Sequence, residues 1–421
     1  MINNTNEATM KIFTPQEAIL ITGENVKSVG KHFPIVARTV IHKLINLEFG
    51  SITMEWPNGM VTRLEGKEKG SDAYLKLHSF DLIKRAAKSG DVGAGESFMD
   101  GEWESPDVTA VLKVFAENQH LMVGHHRNFL SRLLLRLTHL RNLNTKLGSK
   151  RNISAHYDLG NNFYKRWLDP SMTYSSALYK NKDIDLADAQ TQKYENLAKL
   201  VGIKEGDSVL EIGCGWGGFA EYAAKTIDCK VTGITISEEQ YNFAKKRIFK
   251  AGLNEKVDIV FRDYREEQGL YDRIASIEMF EAVGEKYWPV YFDSLRDRLN
   301  PGGAAGLQII TIKDNLFEKY RTSTDFIQRY IFPGGMLPAP GILKKLGHER
   351  GLTLNDEQIF GHDYAETLVE WRNSFRKAWP EIEKLGFDLR FKRMWEYYLH
   401  TCEAGFRSEN IDVRQMVFAK A

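Results

Sequence analysis

Val209-Leu210-Glu211-Ile212-Gly213-Cys214-Gly215-Trp216-Gly217-Gly218 reads as a short buried strand that runs straight into a glycine turn. Glu211 alone interrupts the apolar run. Gly213 and Gly215 let the backbone turn tightly, and Gly217 and Gly218 permit close approach where a helix over about Phe219–Lys225 begins. Strand, glycine turn and helix open the nucleotide-type site of a doubly wound sheet. A ligand there lies against bare backbone near the free N–H groups of the helix start. A glycine pair by itself is equally an empty turn. The residues that follow argue for a ligand. Lys230–Ile236 forms a second strand, and Ser237 caps a helix whose first turn holds Glu238, Glu239 and Gln240. Val257–Phe261 and Tyr271–Ile277 give a third and a fourth strand, ending in Arg262-Asp263-Tyr264 and Glu278-Met279-Phe280-Glu281. Strands spaced by helices, each ending in polar residues, place a site along the carboxyl edge of the sheet. The glycine spacing is neither the phosphate loop G-x-x-x-x-G-K-[ST] nor the dinucleotide pattern G-x-G-x-x-G.

A chain of 421 residues makes two domains the default. A formal net charge of +1 excludes a protein that binds nucleic acid through its overall charge. The three cysteines, Cys214, Cys229 and Cys402, show no C-x-x-C pairing, which argues against a disulfide framework and fits a reducing cytoplasm. Residues 1–10 lack the basic-then-apolar order of a signal peptide, and no run is long enough for a membrane span. Residues 1–120 form a first, α+β block. It carries a hairpin, Ser51–Trp56 and Val61–Leu64 around Pro57-Asn58-Gly59, a further alternating stretch at Tyr74–His78, and helices over 80–88 and 108–118. Phe33–Leu47 fits a helix or a strand. Gly93–Trp103 reads as a turn with a packed aromatic rather than as a catalytic use of Asp100, Glu102 and Trp103. Residues 121–151 hold Arg127, Arg132, Arg136, Arg141, Lys146, Lys150 and Arg151 and no acid. On a helix, Leu130, Leu133, Leu134, Leu137 and Leu140 lie toward one side. Such a basic amphipathic linker can lie on an anionic bilayer, each basic residue adding about 1 kcal/mol, or can simply pack between domains. Residues 152–421 form the catalytic block. Leu186–Val201 is a helix leading into the central strand, residues 287–299 a helix, 305–312 a strand, and 415–419 a closing strand.

Glu211-Ile212-Gly213-Cys214-Gly215-Trp216-Gly217-Gly218 resembles the first motif of S-adenosylmethionine (SAM)-dependent methyltransferases. Further strings follow in order: His156-Tyr157-Asp158, Tyr174-Ser175, Gly233-Ile234-Thr235-Ile236-Ser237, Asp263-Tyr264-Arg265, Phe280-Glu281-x-Val283-Gly284 and Tyr330-Ile331-Phe332-Pro333-Gly334-Gly335. Together they resemble, more narrowly, the cyclopropane-fatty-acyl-phospholipid synthase family, from about residue 150 to the end. The resemblance implies a class I SAM-methyltransferase fold: a Rossmann-like doubly wound α/β sheet with a helical cover, preceded by a smaller α+β domain. It implies SAM as cofactor. Gly213 and Gly215 would cradle the methionine part, Tyr174 and Ser175 approach from the cover, Thr235 and Gln240 take the ribose side, and Asp263 accept from the adenine amino group. No metal is called for. The implied substrate is an unsaturated acyl chain of a membrane phospholipid, with residues 313–343 as a lid over it. The implied setting is a cytoplasmic enzyme peripheral to the inner face of the membrane, often a homodimer.

An alkene is a poor nucleophile, so methyl transfer to it develops carbocation character. That calls for a dry pocket with aromatic faces and carboxylates. In the family a bound bicarbonate, held by a Cys, a Glu, a His and a Tyr, takes the proton as the ring closes. This chain matches with Glu281 and Tyr364. Ser176 stands where the Cys would be, Ile310 where the His would be, and Ala282 in place of another His. An isoleucine side chain donates no hydrogen bond, so the bicarbonate site is weakened; Gln308, on the same strand face, compensates in part. Two outcomes follow. Bicarbonate binds through Ser176, Glu281, Tyr364 and backbone, and a cyclopropane forms. Alternatively a protein base takes a different proton, and a methylene- or methyl-branched chain results. The second is favoured, with Glu281 as the base and Glu278 and His362 as further candidates. The rivals are a small-molecule amine methyltransferase and a non-catalytic lipid-binding homologue.

Overall fold

A computed structural model of the protein describes residues 12–122, 159–181 and 183–421. The basic linker beyond Met122 and the His156-Tyr157-Asp158 motif lie outside the described residues. These residues fall into two units: 12–122 with Asp388–Ser408, and 159–387 with Glu409–Ala421.

In the first unit the expected hairpin forms. β2 (Phe49–Glu55) runs antiparallel to β3 (Val61–Glu65), and Gly59 supplies the left-handed turn residue at φ +80°. β4 (Glu68–Leu77) lies parallel to β2 on its other side. With β1 (Ile19–Leu20) and β5 (Trp103–Glu104) the sheet order is β1-β3-β2-β4-β5. The undecided stretch 33–47 contains a helix, Ile35–Leu44, which buries Ala37, Ile41 and Leu44 at helical spacing. The turn expected from Gly93 onward is instead a helix, Asp91–Met99. A Cβ on Gly93 would sit 2.1 Å from the carbonyl oxygen of Arg85, in the helix Asp81–Ser89. The glycine serves helix-to-helix approach, not a turn. Asp100 pairs with Arg85 and Arg390, and Trp103 is buried with Nε1 donating to the Ala94 carbonyl, so both have structural work.

The expected block 152–421 is not continuous. The helix Leu389–Arg407 belongs to the first unit, where Tyr397 packs on Phe98 and Trp103 with ring centroids 5.6 and 6.3 Å apart. The Thr109 hydroxyl meets His400 Nδ1 at 2.7 Å and donates to Glu403 at 2.8 Å, all three buried. An amphipathic helix announces that one face is buried, not what buries it.

The second unit is built on a seven-stranded sheet in the order β11-β12-β10-β9-β6-β7-β8. β6 (Ser208–Ile212), β7 (Lys230–Thr235), β8 (Val257–Phe261), β9 (Tyr271–Ile277) and β10 (Leu299–Ile312) are parallel. β12 (Ile411–Lys420) and β11 (Leu352–Ile359) close one edge antiparallel. The helix Leu186–Val201 leads into β6, and the helices Gly218–Thr226, Glu238–Lys250 and Trp288–Arg298 connect β6 to β7, β7 to β8 and β9 to β10. Apolar cores lie on both sheet faces, as parallel strands covered by helices require: Leu197, Phe219 and Val231 in one, Ile274, Leu307 and Phe292 in the other. The chain runs outward from β6 through β7 to β8, then returns to β9 on the other side. That reversal opens a crevice between the carboxyl ends of β6 and β9. The stretch 313–343, expected as a lid, is largely helical. It holds helices Asp314–Arg321 and Phe326–Tyr330 and the start of Pro340–Glu349. Among the described residues no helix is long and apolar enough to cross a membrane.

One contact fixes how the helix Leu186–Val201 lies on the sheet. A Cβ on Gly306 of β10 would come 2.0 Å from Val201 Cγ2 and 2.9 Å from Leu197 Cδ1. Gly306→Ala should therefore destabilise the fold by overpacking, by about 1–3 kcal/mol, read as a lower urea midpoint at unchanged m-value.

Candidate active site

The turn after β6 is left-handed at Gly213, Gly215 and Gly217, with φ +83°, +52° and +82°. The Gly213 and Cys214 N–H groups both donate to the Ile234 carbonyl of β7 at 3.0 Å, which ties the loop to the sheet. A Cβ at Gly213 would meet Met279 Cγ at 2.7 Å, whereas at Gly215 nothing lies within 4 Å. Crowding demands glycine at the first position, and the second presents bare backbone to open space. At the end of β7 the Thr235 hydroxyl donates to Gln240 Oε1 at 3.0 Å, so the amino end of the amide is the one left to donate to a ribose hydroxyl. At the end of β8 both Asp263 oxygens accept from Arg265, at 2.8 and 2.6 Å. An adenine amino group would share that carboxylate with Arg265. The ends of β6, β7 and β8 thus offer backbone, hydroxyl, amide and carboxylate in one row, a set that fits SAM.

The cover supplies aromatic rings. Tyr174 lies 5.1 Å from Trp371, 5.4 Å from Tyr164, 5.7 Å from Trp167 and 6.4 Å from Phe332, centroid to centroid. Tyr364 stands 6.0 Å from Trp371. Such a wall suits a sulfonium or a carbocation, which electron-rich ring faces attract without competing as bases.

At the end of β9 the chain does something the sequence did not show. Glu278 adopts φ +49°, a left-handed conformation that costs a non-glycine residue roughly 1–2 kcal/mol. Its Oε1 accepts from the Ser176 N–H and from Gln308 Nε2, each at 2.8 Å, and its Oε2 accepts from the Tyr364 hydroxyl at 2.7 Å. Ser176, Gln308 and Tyr364 are the groups expected around a bicarbonate. They surround a carboxylate of the chain itself. The Ser176 hydroxyl takes no part, since it donates to the Ala177 carbonyl at 2.8 Å; its expected side-chain role passes to its backbone N–H. Ile310 offers only its own N–H, which Glu281 Oε1 accepts at 2.5 Å. Bicarbonate does not fit among these residues: its donors are taken, and by an anion that would repel it. His362 is exposed and lies 3.8 Å from Glu409, away from this cluster.

The two carboxyls are unequally supported. Glu281 Oε2 is shut off from solvent and has no partner among the described residues. Burial, and then the charge of Glu278, push the Glu281 carboxyl up to about 8, so it holds its proton at neutral pH. Burial raises Glu278 too, but Lys193, Tyr364, Gln308 and the Ser176 N–H all work against that. Of the pair, Glu278 is the carboxylate whose charge the surrounding donors support, and Glu281 the one that holds a proton. Ser175 is buried and its Oγ accepts from Lys193 Nζ at 2.6 Å. Lys193 was visible in the sequence only as a lysine four residues from Ala189 and from Leu197, on the buried side of its helix.

Fold and glycine turn together define a class I SAM-dependent methyltransferase. Residues 145–416 match the mycolic acid cyclopropane synthetase family, and the chain belongs to it. It is 38% identical over 350 residues to tuberculostearic acid methyltransferase UfaA1 of Mycobacterium tuberculosis, covering 81% of this chain and 82% of that one. It is also 38% identical over 353 residues to the cyclopropane-fatty-acyl-phospholipid synthase of Escherichia coli K12, covering 83% and 88%. The solved structure of mycolic acid cyclopropane synthase CmaA1 complexed with SAH and CTAB is similar with a TM-score of 0.61 at 28% identity, over 64% of this chain and 98% of that chain.

Proposed function

We propose that the protein transfers the methyl group of SAM to a double bond in an unsaturated acyl chain of a membrane phospholipid, and that Glu278 removes the proton that ends the reaction. The product is a methylene-branched chain, not a ring. The observation that carries this is the Glu278 carboxylate, held by the Ser176 N–H, Gln308 and Tyr364 where an external base would otherwise sit. When bound at Gly213, Gly215, Thr235, Gln240 and Asp263, SAM supplies an electrophilic methyl group. The alkene electron pair would form the new C–C bond as the sulfur–methyl bond breaks and the thioether SAH leaves, and the neighbouring chain carbon would become a cation facing the Tyr174, Trp371 and Tyr364 rings. A hydride moving from the methylated carbon to that neighbour leaves the cation at the more substituted position. Glu278 takes a proton from the added methyl, and the C–H pair becomes the new double bond. The clamp of three donors holds the carboxylate at one place, so its reach selects which proton leaves. Phospholipid as the carrier is supported by the Escherichia coli relative, and attachment to the inner face of the membrane by the acid-free basic stretch 121–151.

The test is mass spectrometry of phospholipid acyl chains from cells with and without the protein, fed methyl-labelled methionine. A labelled gain of one methylene unit, in a product that ozonolysis still cleaves, is expected. Upfield cyclopropane protons in the product NMR spectrum would overturn the branched outcome. Unlabelled lipid beside labelled small amines would overturn the lipid reading itself.

A further inference from the structure

We propose that Lys193 is a positioning residue whose buried ammonium, seated against the Ser175–Ser176 turn, keeps the Glu278 carboxylate ionised for proton removal. This rests on Glu278 being the base.

Lys193 is 0% exposed. Its Nζ donates to Ser175 Oγ at 2.6 Å and to the Ser176 carbonyl at 3.1 Å, and it lies 4.6 Å from the Tyr194 ring centroid. One turn earlier on the same helix, Gln190 donates to the Ser175 carbonyl at 2.8 Å. That carbonyl and the Ser176 N–H belong to one peptide group, so Gln190 polarises the N–H that Glu278 accepts, while Lys193 holds the next carbonyl. The backbone carbonyl of Lys193 also accepts from Gln415 Nε2 at 3.2 Å, and the same nitrogen donates to Gln308 Oε1 at 3.0 Å. With its oxygen taken by Gln415, the Gln308 amide must present nitrogen to Glu278. Both arms of the clamp therefore lead back to this one helical residue.

The charges around it leave Glu278 as its partner. Three carboxyls act on Lys193: Glu278 most strongly, then Asp169 and Glu211. Asp169 already accepts from the N–H groups of Ser171 and Thr173. Burial pushes Glu211 up to about 8, with the Ala220 N–H, Arg247 and Lys193 working against it, so at neutral pH it carries its proton. On the other side Glu278 faces Lys193, the Tyr364 hydroxyl and the protonated Glu281. Burial drives Lys193 down to about 7 and Glu278 up, and the charge of each works against that by favouring the ionised form of the other. A cation beside a carboxylate lowers the carboxylate's pKa. Removing it must move the acid limb of the rate profile to higher pH.

The experiment is the pH dependence of kcat and kcat/KM for wild type, Lys193→Met, Lys193→Gln and Glu278→Gln, on vesicles of unsaturated phospholipid, with SAH affinity by calorimetry as the check on fold and cofactor site. Met replaces the cation with an apolar chain of similar length, and Gln keeps a donor without the charge. Both lysine variants should lose ten-fold or more in kcat at pH 7 and move the acid limb up by about one unit or more, with activity recovering as pH rises and SAH affinity held within a few-fold. A wild-type limb in either variant overturns the proposal, as does a loss confined to SAH affinity or KM. If Glu278→Gln is inactive while Lys193→Met keeps the wild-type limb, only the role of Lys193 fails. If Glu278→Gln turns over normally, the base itself has been misassigned.

Discussion

Glu278→Gln should reduce kcat by about 10²–10⁴-fold, the contribution typical of a positioned general base, while SAH affinity stays within a few-fold of wild type. Glutamine has nearly the same shape. Its oxygen can accept from the Ser176 N–H and Gln308, and the Tyr364 hydroxyl can turn to accept from its nitrogen. Packing is kept and basicity is lost. Glu281→Gln should cost far less, because that carboxyl is already neutral at pH 7, its charge opposed by burial and by Glu278. The order of the two losses is the decisive measurement. Were Glu281→Gln the inactive variant and Glu278→Gln the active one, proton removal would belong to Glu281, whose unpartnered Oε2 would then face the substrate.

Much of the sheet was legible because its signals are local. β8, β9 and the helix Leu186–Val201 have the expected ends, since apolar runs bounded by glycine, asparagine and caps need no tertiary information. Gly93 misled because glycine marks turns and tight helix packing alike. β11, Leu-Thr-Leu-Asn-Asp-Glu-Gln-Ile, is too polar to announce itself, being an edge strand with only Leu352 buried. At the site, the set of groups round the anion could be read from the sequence, but not what they hold. Glu278 and Glu281 are three residues apart after one strand, and either suited a base. Only the left-handed backbone at Glu278 decides which carboxylate turns into the donors, and no pattern of residue types reports a φ angle. Ser176 shows the same limit from the other side. Its residue type pointed to a hydroxyl ligand, and its backbone N–H does the work.

Glu278→Gly should be inactive in plain buffer and recover when bicarbonate or formate is added. Removing the side chain leaves the Ser176 N–H, the Gln308 amide nitrogen and the Tyr364 hydroxyl around a gap the size of a carboxylate, with the Lys193 ammonium behind it. Glycine adopts φ +49° without the strain that glutamate bears there, so the backbone keeps its course. A small planar oxyanion presents the same two oxygens to the same donors and brings its own basicity. Loss without anion should be on the order of 10²-fold or more, and recovery should be ten-fold or more, saturating with bicarbonate or formate and absent with chloride. Glu278→Gln should not be rescued, because its amide still fills the space. That contrast separates a missing base from a damaged fold: both variants lack the carboxylate, and only one has room for its replacement. If no oxyanion restores Glu278→Gly while its SAH affinity is intact, the three donors serve to pack the turn after β9, and proton removal lies elsewhere.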